Sequence, residues 1–307
     1  MPRLIVLGPQ RRPTLDATTR GLQLTGPMCT VTAGWREREP DDAELDALLG
    51  GRSINLGLYR RWLEVLEHDP EYAAAEQEHR AALAEQQELY EVQLNGVLGA
   101  LREVTRYGGS RAEIRETALA DAEAAVRLVD DRHLQRVARS RAAFEVAWRP
   151  AERPAVAAHR DEIGRALGRA DALVLAGGHV GVLLHVLALF AVSAPPIVIA
   201  WSAGAMALTE RVLLFHDRAP HGPAHAEFAG SGLGWLSGCV LLPHARRRLR
   251  ADDPLRMSEL VARVAPARCV VLDDGTRLEV PDGSAELPAG ARVIDPDGRI
   301  TELATAS

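Results

Sequence analysis

Residues 172–205, "ALVLAGGHVGVLLHVLALFAVSAPPIVIAWSAGA", hold two short apolar runs separated by one apolar segment of helix length. The first run stops at Gly177-Gly178; the second follows Pro195-Pro196 and stops at Trp201-Ser202. Strand, helix, strand and helix at these lengths imply parallel strands joined by crossover helices. Strands buried on both faces are apolar throughout rather than alternating, as Ile197 to Ala200 are. The expected fold is therefore α/β, a mostly parallel sheet flanked by helices.

The flanking sequence extends this pattern. "RLIVLG" and "PMCTVTAGW" read as further strands, "EREPDDAELDALLG" has the acidic start and glycine end of a helix, and "HRDEIGRALGRA" is a helix. "AGAMALTERVLLF" after the serine is expected to be one helix. The tail, from "RCVVLDDGTRLEV" to "GRITEL", is punctuated by DDG, PDG and PAG and predicts short strands and hairpins at a sheet edge.

Residues 54–148 differ. They are rich in Ala, Glu, Leu and Arg, and Leu83, Leu89, Tyr90, Leu94, Val97, Leu98 and Leu101 fall near one helical stripe. A "YGGS" break divides the stretch, which predicts two or three long amphipathic helices forming a hairpin. The domain expectation is an α/β body from 1–53 and 149–307 with a helical insertion at 54–148. Packing and homo-oligomerisation are the expected roles of the insertion, with a substrate-covering lid as the alternative.

Composition removes several function classes. The 307 residues include 36 basic and 42 acidic side chains, a net charge of -6, which argues against a nucleic-acid surface. Every basic residue apart from histidine is arginine, so Schiff-base chemistry and a phosphate-loop lysine are excluded. Cys29, Cys239 and Cys269 are scattered without metal-ligand spacing, as expected of reduced thiols in a cytoplasmic protein that holds neither structural zinc nor cofactor. The opening "MPRLIVLGPQRRP" lacks the pattern of a signal peptide, and the proline-broken apolar run before Ser202 is not read as a membrane span.

Chemistry concentrates at "IVIAWSAGAMALTERVLLFHD", residues 197–217. Polypeptide leaving a buried parallel strand at its carboxyl end arrives where such sheets present ligand sites. Ser202 stands there, followed by Ala203, Gly204 and Ala205, the small residues that a sharp strand-to-helix turn requires. Two readings stand side by side: a nucleophile on a strained turn, or a serine capping a helix. The general nucleophile-elbow pattern is departed from at Ala200, where a glycine is usual. Gly177 and Gly178 end the neighbouring strand, and "LLPH" brings His244 to the end of a later one.

In this order, "GGHVGVLL", "WSAGA", "FHD", "GLG" and "LLPH" resemble the peptidase E and cyanophycinase serine peptidases, which have the class I glutamine amidotransferase-like fold. The resemblance covers about residues 170–280 well and 1–50 loosely, and the helical region not at all. It implies Ser202 as nucleophile, His244 as general base and Asp217 as the acid orienting it. It also implies an oxyanion hole of Gly178 and Ala203. Gly177, His179 and Arg250 are the expected substrate contacts, with His179 standing where the family places Asn or Gln; of the run Arg246, Arg247, Arg248 and Arg250 after His244, the two readings are a site for a substrate carboxylate and a solvated basic helix face. Asp273-Asp274 matches an acidic family segment of unassigned role. A small peptide or amide substrate follows from the resemblance.

Two functions from different classes remain open on the sequence: a serine hydrolase, and a noncatalytic ligand-binding or regulatory protein of the same fold. An α/β-hydrolase esterase is disfavoured because little chain follows the serine turn. Cysteine-dependent amidotransferase chemistry is excluded by Ser202 itself.

Overall fold

A computed structural model of the chain describes residues 2–10, 14–109, 111–215, 225–281 and 286–304. It opens with β1 (Arg3–Leu7), α1 (Leu15–Gly21), β2 (Met28–Val31), α2 (Ala43–Leu48) and β3 (Ser53–Asn55). The helical region comprises α3 (Leu58–His68), α4 (Pro70–Arg106) and α5 (Ala112–Trp148). There follow α6 (Pro154–Leu167), β4 (Ala172–Leu175), α7 (Val180–Leu189), β5 (Ile197–Trp201), α8 (Ala203–Ala207), β6 (Arg211–Leu214) and β7 (Glu227–Ser231). The chain then forms β8 (Cys239–Pro243), α9 (Ala245–Arg248), α10 (Pro254–Val264), β9 (Arg268–Leu272), β10 (Arg277–Val280), β11 (Arg292–Ile294) and β12 (Ile300–Glu302).

The central sheet has the order β10-β1-β5-β4-β2-β3. Every pairing in it is parallel except that of β10, which runs antiparallel to β1 at one edge. Alternate side chains enter separate cores, which accounts for the uniformly apolar strands. Leu4, Val6, Leu173, Leu175, Val198 and Ala200 pack on one face with α3, α6, α7 and α8. Ile5, Leu7, Val174, Ile199 and Trp201 pack on the other with Leu15 of α1 and Leu45 of α2. Burial on both faces suits a parallel sheet, whose crossovers cover each side.

The tail is not a single sheet edge. Strand β10 joins the central sheet, whereas β9 enters a second sheet of order β12-β11-β9-β8, where it lies parallel to β8. The segment after Ser202 also departs from expectation. The helix there is only Ala203–Ala207, and Arg211–Leu214 is a strand paired with β7. Thr209 follows the helix end, its hydroxyl oxygen 2.8 Å from Met206 O and 2.9 Å from Arg211 O, so that its one proton is shared between the two carbonyls.

Helices α4 and α5 each have 37 residues, so each is about 55 Å long at 1.5 Å per residue, and they pack on each other as a hairpin. Asp69 caps α4 by accepting from Tyr72 N at 3.0 Å, with Pro70 at the first helical position, where its missing N–H costs nothing. Tyr90, Leu94, Leu98, Leu101 and Val126 form a core of their own between the two helices. Leu89, expected on that stripe, is 57% exposed. The hairpin is tied to the α/β body by a buried polar node. Arg263 of α10 makes two bonds to Asp130 of α5, at 2.9 and 3.0 Å. Tyr90 of α4 donates to the same carboxylate at 2.7 Å and accepts from Phe228 N at 3.2 Å. No described helix is long and apolar enough to cross a membrane.

Candidate active site

Ser202 leaves β5 with φ 52° and ψ −120°. A side chain larger than hydrogen is strained at such positive φ, and strain of this kind persists only where surrounding structure enforces it. Two enforcing contacts are visible. Gly204 lies so close to β4 that a Cβ on it would sit 2.2 Å from Leu175 O. The helix that begins at Ala203 is buried throughout, so the turn has no room to relax outward. The side chain of Ser202 makes no capping bond to that helix, which removes the capping alternative.

Parallel pairing of β4 with β5 brings Gly177-Gly178 beside this turn. A Cβ on Gly177 would lie 3.4 Å from Ser202 Oγ. Gly178 has φ 118°, and a Cβ there would be 2.3 Å from Gly34 O, so only glycine fits. The loop is held by the bond from His179 N to Gly34 O at 2.7 Å. His179 Nδ1 accepts from Val182 N at 3.2 Å and thereby caps α7. The His179 ring thus has a structural task at the mouth of the site.

His244 follows β8 in the left-handed conformation, φ 59° and ψ 29°, and its N–H donates to Leu272 O at 3.0 Å. The β8–β9 register therefore continues through this residue and aims its ring at the serine. Ser202 Oγ lies 3.4 Å from His244 Nε2, the long end of hydrogen-bond reach. The turn beyond is anchored by buried Asp273. Its carboxylate accepts from Arg246 N at 3.2 Å and from Arg292 at 2.7 Å, and pairs with the Arg246 side chain at 3.2 Å. Asp273 thus acts as a buttress to the histidine turn. Asp217 lies outside the described residues.

A cavity of about 530 Å³ opens over the pair. Gly178, His179, Ser202, Ala203 and His244 line it. Arg250 does not. The basic lining comes from Arg248, one of the arginines singled out after His244, and from Arg141, on α5. Arg248 is the last residue of α9, whereas Arg250 follows Leu249, whose extended backbone ends the helix. Arg141 was not readable as a site residue: in sequence it is one more arginine on a long amphipathic helix. Leu184, Met206 and Phe215 give the cavity an apolar wall.

The cysteines offer no rival nucleophile. All three are buried, and burial pushes the Cys29 thiol up to about 11 and those of Cys239 and Cys269 to about 12. Such thiols stay protonated and inert. Among the described residues, no group of three or more His, Cys, Asp or Glu side chains is placed to hold a metal ion.

No family model matches the chain, and no curated protein does. A solved structure described as a peptidase from an acI-B1 Actinobacterium aligns over 100% of this chain and 96% of its own, with 14% identity and a TM-score of 0.47.

Proposed function

We propose that this protein is a serine hydrolase that cleaves a peptide or amide bond. The observation that carries the reading is the strained backbone of Ser202, with its Oγ 3.4 Å from His244 Nε2 on the floor of an open cavity. In this reading His244 takes the Ser202 proton as Oγ attacks the carbonyl carbon, then returns it to the departing amine. The N–H groups of Gly178 and Ala203 receive the oxyanion. Water repeats the sequence on the acyl-enzyme. Asp217 is the proposed acid partner of His244, on the strength of the "LFHD" match alone. The family reading, a peptidase E-like member of the class I glutamine amidotransferase-like fold with residues 54–148 inserted, belongs to the same proposal.

The charged residues among the described cavity lining are Arg141 and Arg248, with no carboxylate. That lining favours a substrate carrying a carboxylate near the scissile bond, since guanidinium groups bind carboxylates through paired charge-assisted bonds. For the hairpin, self-association is proposed through the α4 face that exposes Leu89 and Val92 at 57% and 70%. The second reading, a noncatalytic ligand-binding protein, keeps the same cavity and rests on the long Ser202–His244 separation.

A fluorophosphonate serine probe separates the two. Labelling is expected to vanish in Ser202→Ala and to fall sharply in His244→Ala. Well-folded protein that takes up no probe would sink the hydrolase reading.

A further inference from the structure

We infer that the cavity over Ser202 continues into a second chamber beneath the helical hairpin, and that this chamber receives an apolar or aromatic group of the substrate. The inference rests on the hydrolase reading and assigns a subsite to it. A second cavity of about 360 Å³ adjoins the first, and the two share Arg141, Gly181 and Leu184 in their walls. A cavity of about 150 Å³ is enough for benzene, so a phenyl or indole group has room here.

The chamber is built by both hairpin helices and by α7. Tyr72 and Leu83 come from α4, Ala142 and Phe144 from α5, and Leu189 from α7. The His79 ring stacks on Phe144 with centroids 4.5 Å apart and planes 12° from parallel. Of the ionic groups in the lining, Glu145 is exposed, while Glu76, Arg80 and His185 answer one another. Buried Glu76 accepts from Trp62 Nε1 at 3.0 Å, pairs with Arg80 at 3.2 Å, and lies 3.5 Å from His185. Arg80 in turn sits over the Trp62 ring, 5.1 Å from its centroid. What remains for a ligand is a wall of aromatic and aliphatic surface, the usual material of small-molecule pockets. Arg141 stands at the junction, placed to hold a carboxylate or carbonyl between the scissile bond and the apolar group. A substrate is then elongated, with an anionic centre and an apolar extension, rather than a bare dipeptide.

The test compares anilide substrates carrying an acetyl, a 4-phenylbutanoyl or a 4-aminobutanoyl extension, with the same groups also placed on the leaving-amine side. On one of the two sides the phenyl extension is expected to raise kcat/KM by about 10- to 100-fold, the worth of burying one such group. Ala142→Trp and Ala188→Phe fill the chamber from opposite walls at exposed positions. Each is expected to bring the phenyl-to-acetyl ratio back toward one. Probe labelling of Ser202 without a phenyl gain on either side would overturn the chamber while leaving the hydrolase standing, as would a gain for the amino extension alone. If the wild type takes up no probe, calorimetry with 4-phenylbutanoyl-glycinamide still decides: binding abolished by both filling variants supports the chamber, and no binding overturns it.

Discussion

Replacing Asp130 by Asn asks how firmly the helical hairpin is held to the α/β body. Asp130 and Arg263 are 2% and 5% exposed, and the guanidinium faces the carboxylate through two bonds at 2.9 and 3.0 Å. Two further bonds hold Arg263, one to Ala226 O at 2.6 Å and one to the Tyr90 hydroxyl at 3.3 Å. The amide keeps the shape of the side chain and one acceptor but removes the negative charge. A buried guanidinium is then left uncompensated, a loss of about 3–5 kcal/mol for a broken buried pair. Against a total stability of about 5–15 kcal/mol this is a large fraction. Removing both partners, in Asp130→Asn with Arg263→Leu, restores much of the loss because no unpaired charge remains. The assay is urea unfolding followed by circular dichroism, with all four members of the cycle at one pH. A cost below about 1 kcal/mol for the single variant, or no recovery in the double, would refute this account of the node. The consequence reaches the cavity. Arg141 lies about three helical turns from Asp130 on α5, hence on the same face, so loosening this latch is expected to weaken any carboxylate preference as well.

Two further substitutions probe the turn and the hairpin interface. Gly204→Ala drives a Cβ to 2.2 Å from Leu175 O on the neighbouring strand. It is expected to cost at least about 1–3 kcal/mol, as overpacking does, and to abolish probe labelling; near-wild-type labelling would show that the turn is not set by that contact. Burial, and then the neighbouring Glu91 carboxyl, push Glu227 up to about 7 from an ordinary 4.5. A carboxyl raised in the folded state contributes its stability fully below about pH 4.5 and loses it as pH rises through 7. Unfolding free energies measured from pH 4.5 to 8 are therefore expected to fall on this account, and Glu227→Gln to remove that component. Parallel profiles for the two proteins would contradict it.

The alternation of apolar runs and helix-length segments was enough to show a mostly parallel sheet, because strands buried on both faces have no polar side to display. Glycines at 177 and 178 were legible for a similar reason, since small residues at a strand end mark close backbone approach. Sequence periodicity failed where everything is apolar. "AGAMALTERVLLF" suits a helix and a buried strand equally, and only the pairing of β6 with β7 ends the helix early.

The site was split along the same line. Ser202 and the end of "LLPH" could be picked out singly as residues leaving strands. Their separation of 3.4 Å is decided by two different sheets meeting at one place, and the φ of 52° at Ser202 by packing against β4. Arg141 was invisible for a physical reason: nothing local distinguishes it from the other arginines of α5. It becomes a cavity residue because α5 packs on the α/β body, at the Asp130–Arg263 node and along β7. Local sequence determines which segments are strands, helices and tight turns, since that depends on side-chain periodicity and backbone freedom. Which of their residues share a cavity depends on long-range packing, and the tertiary structure alone decided it.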